Sequence, residues 1–96
     1  MVTETEADFA SWVKDLAQFY GWLAYHTWRS IHSPAGYPDL TLCRPPRVIM
    51  AELKKQDGKV SLAQQEWLDA LAQCPGVECY LWRPSNREKI QEVLAP

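Results

Sequence analysis

An α/β fold, with a mixed sheet flanked by helices, is what this 96-residue sequence predicts, on three observations. Segments with apolar residues at helical spacing alternate with short segments rich in β-branched and aromatic residues. The pair Pro45-Pro46 sits between two apolar segments, where proline's missing donor makes it a turn and not part of a ladder. A helical segment then separates the last two strand segments, and such a connection returns a strand parallel to the one it left.

Element by element, Phe9, Val13, Leu16, Ala17 and Tyr20 recur at helical spacing, and Gly21 follows as a C-terminal stop. Thr3 and Glu6 have capping-box spacing at the start of this helix. Residues 22–28 are rich in aromatics and read as a strand. Residues 29–37 contain Ser33-Pro34-Ala35-Gly36 and read as a loop. Residues 39–43 and 48–53 read as a hairpin around the prolines, and residues 56–59 as a turn. Ser61 opens a helix carrying Leu62, Leu68, Leu71 and Ala72, which ends at Pro75-Gly76. Residues 77–82 form the last strand. Ser85 and Glu88 then have capping-box spacing before a short helix with Ile90, Val93 and Leu94 inward. The order is α-β-β-β-α-β-α: a three-stranded antiparallel meander, a right-handed crossover, and a fourth strand parallel to the third.

Length and composition bound the possibilities. Hydrophobic residues make up 47% of the chain, enough for one packed domain over residues 1–96 and too much for disorder. The acidic, polar start at Glu4 and Glu6 does not read as a signal peptide, and no apolar run approaches the ~20 residues that span a bilayer. A cytoplasmic protein with no membrane partner is expected. Cys43, Cys74 and Cys79 form no Cys-x-x-Cys pair and are odd in number, so they read as reduced, mostly buried thiols. The net charge of −2 is mildly unfavourable for a nucleic-acid binder. If Glu6, Asp39 and Glu52 hold a cation, however, nine acids remain against ten Lys and Arg, and the objection lapses.

The hairpin carries the chemistry. With the turn centred between Pro45 and Pro46, Asp39 lies opposite Glu52, and opposed residues share a sheet face about 5 Å apart. Lys54, two residues beyond Glu52, lies on that same face. Opposed carboxylates repel, and an ionised glutamate within Val48-Ile49-Met50-Ala51-Glu52-Leu53 is costly unless paired or bound to metal. A hard divalent cation such as Mg²⁺ answers both problems, because it takes carboxylate oxygens together with water and phosphate. Lys54 would then orient water or neutralise charge developing on a phosphate. The same residues also admit plainer readings: Glu52 with Lys54 or Lys55 as a surface ion pair, and Asp39 as a turn residue after Pro38.

Gly36-Tyr37-Pro38-Asp39-Leu40 followed by Ala51-Glu52-Leu53-Lys54 resembles the signature of the PD-(D/E)XK nucleases. Residues 61–68, reading Ser-Leu-Ala-Gln-Gln-Glu-Trp-Leu, narrow the resemblance to the VRR-NUC branch. Glu6-Ala7-Asp8-Phe9, Gly21-Trp22, Tyr25-His26 and Tyr80-Leu81-Trp82-Arg83-Pro84 extend it over nearly the whole chain. The resemblance implies a restriction-endonuclease-like αβββαβ(α) core and a Mg²⁺- or Mn²⁺-dependent endodeoxyribonuclease. Asp39, Glu52 and the Leu53 carbonyl would be metal ligands and Lys54 the catalytic lysine. Glu6 would be the first-helix acid, acting directly or through water, and Gln64 the glutamine near the site. It further implies branched DNA, such as four-way (Holliday) junctions, as substrate and a homodimer as the assembly, in a bacterial or phage-infected cell. Glu6 and Gln64 each have a rival role in a capping box. The segment 29–35 is less basic than the resemblance implies.

Lys55, Lys59, Arg29, Arg44 and Arg47 are the candidate DNA contacts, with Arg83 and Arg87 behind them. Most tryptophans read as core, with Trp28 the best candidate for stacking on a base. His26 and His32 read as packed or solvated residues in preference to ligands. The rival function is a non-catalytic or partner-dependent DNA-binding module; loss of a signature residue would mark the non-catalytic form, and the intact Asp39, Glu52 and Lys54 disfavour it.

Overall fold

The computed structural model describes residues 4–28 and 32–96. Its elements are α1 (Glu6–Phe19), β1 (Leu23–His26), β2 (Leu40–Arg44), β3 (Arg47–Leu53), α2 (Leu62–Ala72), β4 (Glu78–Trp82), a 3₁₀ turn (Pro84–Asn86) and α3 (Arg87–Leu94). The sheet order is β1-β2-β3-β4. The first three strands are antiparallel and β4 is parallel to β3. This is the predicted mixed sheet, with α2 as the crossover.

The register follows from the turn. Arg44 pairs with Arg47 across Pro45-Pro46, and the ladder runs back to Leu40 opposite Ala51. Along β3, Ile49, Ala51 and Leu53 face α1 and α3, where they meet Phe9, Val13, Ala17, Ile90 and Leu94. Truncating a core side chain such as Phe9 to alanine removes about 3–5 kcal/mol. Alternate residues of β3 face the other way, toward α2, which packs on β3 and β4. That helix does not extend over β1, and Leu23 and Tyr25 stand exposed there. Among the described residues no helix is long and apolar enough to cross a membrane.

Helix α1 ends where Gly21 was expected to stop it. Gly21, at φ +85°, donates to the Gln18 carbonyl and Trp22 donates to Ala17, which satisfies the last carbonyls. Trp22 is thereby carried into the core, so β1 is shorter than residues 22–28. The N-terminal cap lies two residues later than predicted. Thr5 accepts from the Asp8 N–H and Asp8 accepts from the Thr5 N–H, because the helix begins at Glu6. Thr3 lies outside the described residues. At the other end Ser85 does not cap α3: Pro84 opens a 3₁₀ turn that takes in Ser85, and the helix starts only at Arg87. Cys43 and Cys79 are half-buried, but Cys74 is exposed and departs from the expected burial.

Candidate functional site

Asp39 stands one residue before β2, directly beyond the last ladder pair of the hairpin. Its carboxylate accepts the Leu53 N–H at 2.9 Å, and its carbonyl accepts the Thr27 N–H at 2.8 Å. The side chain thus extends the ladder that its own backbone leaves, and is fixed against the end of β3. Glu52, on the sheet face turned toward α2, is only 1% exposed. Its Oε1 accepts from Gln64 Nε2 at 3.4 Å, while its Oε2 is buried without a hydrogen-bond donor.

The electrostatics follow from that placement. Burial is the main cause that pushes the Glu52 carboxyl up from 4.5 to about 9. The adjacent Asp39 adds to this, since two ionised carboxylates repel and only a protonated Glu52 can donate to its neighbour. The charge of Lys54 opposes the shift and that of Glu6 reinforces it, so both residues act on the same centre. Lys54 is half-buried, and its backbone N–H donates to the Trp82 carbonyl at 3.0 Å. Asp39 and Glu52 are therefore brought together, with the charges of Lys54 and Glu6 felt at Glu52.

Gln64 serves both of the roles that its position allows. Its Oε1 accepts the Ser61 N–H at 2.9 Å in a capping box, and its Nε2 reaches Glu52. The two ends of one carboxamide join the start of α2 to the carboxylate pair. The loop before Asp39 is held against the same turn. Gly36 has φ +96°, and a Cβ there would lie 2.4 Å from the Ala63 carbonyl carbon and oxygen. Only glycine permits that approach.

The donor set suits a hard divalent cation. It consists of carboxylate oxygens, one of them buried and orphaned, together with the nearby Leu53 backbone. Among the described residues no three His, Cys, Asp or Glu side chains converge to enclose an ion. Asp39 and Glu52 would therefore supply the side-chain ligands, leaving the remaining positions to carbonyl, water and phosphate oxygens. Glu6 acts on this centre through its charge, at the exposed first turn of α1.

The basic residues divide sharply. Arg44 and Arg47 lie at the opposite end of the hairpin. Arg44 donates to the carbonyls of Tyr20, Leu94 and Ala95, and Arg47 to both Glu78 oxygens and the Val93 carbonyl. Both guanidiniums also lie against the Trp22 ring. Both guanidiniums are committed to holding the ends of the fold together. Arg83 is similarly committed, donating to the Lys55, Gln56 and Gly58 carbonyls and so organising the loop after Lys54. Arg87 pairs with Glu4. Lys55 and Lys59 are exposed on that loop, near the carboxylates in sequence, with Lys55 3.8 Å from Asp57. Arg29 lies outside the described residues. The partners of Arg44, Arg47 and Arg83 come from remote segments, so no local sequence signal could have revealed them.

No known sequence family and no curated protein matches the chain. Among solved structures it is similar to a VRR_NUC domain protein, with a TM-score of 0.69 and 19% identity. The likeness covers 97% of this chain and 87% of the other. The four-stranded mixed sheet, its helices and its crossover thus form an α/β fold like that of the VRR_NUC domain protein.

Proposed function

We infer that this chain is a member of the VRR-NUC family that hydrolyses phosphodiester bonds in DNA with Mg²⁺ or Mn²⁺. The observation that carries the reading is Glu52: a buried carboxylate, abutting a second carboxylate, with one oxygen lacking any donor. A fold does not keep such a pair for stability, and a cation relieves both its burial and its repulsion. Asp39, Glu52 and the Leu53 carbonyl are the residues that would hold the ion. When bound, it supplies a Lewis acid for the phosphodiester and makes water more acidic.

The chain's own residues divide the remaining work. Asp39 is oriented by the Leu53 N–H, and Glu52 by Gln64. Lys54, directly after the strand that carries Glu52, orients the attacking water or neutralises charge on the phosphate. Glu6 adds negative charge that disfavours an ionised Glu52 in the absence of a cation. Lys55 and Lys59 meet the DNA backbone beside the site. Branched DNA such as a four-way junction is the proposed substrate. Two cuts in a symmetric junction call for a homodimer with two-fold symmetry.

The test is cleavage of labelled four-way junction, flap, single-stranded and linear duplex DNA with Mg²⁺, Mn²⁺ or EDTA, by the native protein and Glu52→Gln. Metal-dependent cleavage of the junction, absent in Glu52→Gln, is the expected result. Cleavage that survives EDTA or Glu52→Gln would remove the proposed centre, and no cleavage of any DNA would remove the activity.

A further inference from the structure

A groove of about 890 Å³ opens directly beside the carboxylate pair, with Asp39 and Gln64 among its lining residues. Its volume falls within the roughly 300–1,000 Å³ of small-molecule sites. It lies where α2 leaves the sheet face uncovered, between that helix and edge strand β1. Four aromatic side chains line it: Tyr25 and Trp28 from the β1 side, and Tyr37 and Trp67 from the loop and α2. Tyr37 and Trp67 meet edge to face, with ring centroids 5.0 Å apart, and make a fixed wall. Tyr25 is 62% exposed and Trp28 79% exposed. Rings so exposed and gathered in one place mark a binding surface, whereas single exposed apolar residues do not.

The charge of the groove selects the part of a nucleic acid that fits. No lysine or arginine is among its described lining residues, and Asp39 contributes negative charge. Its described lining residues offer a phosphate backbone no cationic side chain. A base is uncharged and flat, which matches the aromatic faces. Inside a duplex both faces of a base are already covered by its neighbours, so only an unstacked base can use these rings.

We propose that the groove formed by Tyr25, Trp28, Tyr37 and Trp67 receives an unpaired base next to the phosphodiester positioned at Asp39 and Glu52. This rests on the nuclease reading above and adds a selection rule to it: the cleaved strand must offer an unstacked nucleotide at the cut. The rings, not the modest set of free lysines, then discriminate branched or single-stranded substrate from plain duplex.

The test uses Glu52→Gln protein, which binds without cutting, and anisotropy of labelled DNA. Three probes are compared: a blunt duplex, the same duplex with a three-nucleotide single-stranded extension, and that extension made abasic. The extension should tighten binding about tenfold, and Trp28→Ala should abolish the gain. The abasic probe should bind like blunt duplex. Trp28→Phe should restore most of the gain, and blunt-duplex affinity should stay within twofold throughout. Tyr25→Ala gives a second exposed ring whose removal spares the core. Equal affinity for the three probes, or a Trp28→Ala effect that is the same on all of them, overturns the proposal. Cleavage without any ring dependence would sink the groove and leave the nuclease; ring-dependent binding without cleavage in the native protein would do the reverse.

Discussion

Replacing Glu52 by glutamine should make the metal-free protein more stable while ending its activity. The carboxyl is 1% exposed, and burial with the adjacent Asp39 lifts it from 4.5 to about 9. In the unfolded chain it ionises in the ordinary range. Between these limits the folded state binds a proton that the unfolded state has released, so stability falls as pH rises. The contribution is fully present below 4.5 and is lost progressively up to about 9. The slope is about 1.4 kcal/mol per pH unit, or at most about 3 kcal/mol lost by pH 7. Glutamine has nearly the same shape and cannot ionise, so it escapes this loss. For a domain of this size the gain corresponds to a Tm difference on the order of 10–20 °C. Thermal and urea unfolding in EDTA at pH 5, 7 and 8.5 measure it. The native protein should weaken across the series and Glu52→Gln should stay nearly level. A flat native profile, or a variant that follows it, would refute the electrostatic account of the site.

Mg²⁺ should raise the Tm of the native protein, more at pH 8 than at pH 6 because the ion displaces a proton, and should leave Glu52→Gln unchanged; a melt with and without the ion reads this. Lys54→Ala should lower cleavage at least about a hundredfold while DNA binding by anisotropy stays within a few-fold, and cleavage at the native rate would remove Lys54 from the mechanism. Gln64→Glu keeps an acceptor for the Ser61 N–H but places a third carboxylate beside Glu52. Its loss of stability in urea should therefore be small at pH 5 and about 1–3 kcal/mol at pH 8. Gly36→Ala should cost more than about 1 kcal/mol in thermal unfolding, since its Cβ would collide with the Ala63 backbone.

The hairpin was legible because Pro45-Pro46 leaves one turn position, and that position settles which residues oppose. The meeting of Asp39 and Glu52 follows from extending that register one residue past the last ladder pair. The Thr3–Glu6 pairing failed because two overlapping capping patterns exist and the helix start chooses between them; the choice of Thr5 and Asp8 leaves Glu6 outside the cap. For Gln64 the two readings were never exclusive, since an amide has a donor end and an acceptor end. The internal bonds of Arg44 and Arg47 could not be read from sequence, because their partners lie up to 51 residues away and are mostly carbonyls, which no side-chain pattern announces. The groove was visible only as Trp28; gathering Tyr25, Tyr37 and Trp67 around it requires the fold.

The hairpin β2–β3 has two unlike ends. At the turn, Arg44 and Arg47 draw Tyr20, Leu94, Ala95 and Glu78 into a cluster of satisfied donors and acceptors. At the open end, two carboxylates face each other with a donor missing. Without a cation, local opening should therefore begin at the Asp39–Leu53 end and die out toward the arginines. Ion binding at the open end would close the part of the hairpin most inclined to separate. The proposed ion site and the strand pair's weakest seam coincide, so the protein would be most rigid only when loaded to act.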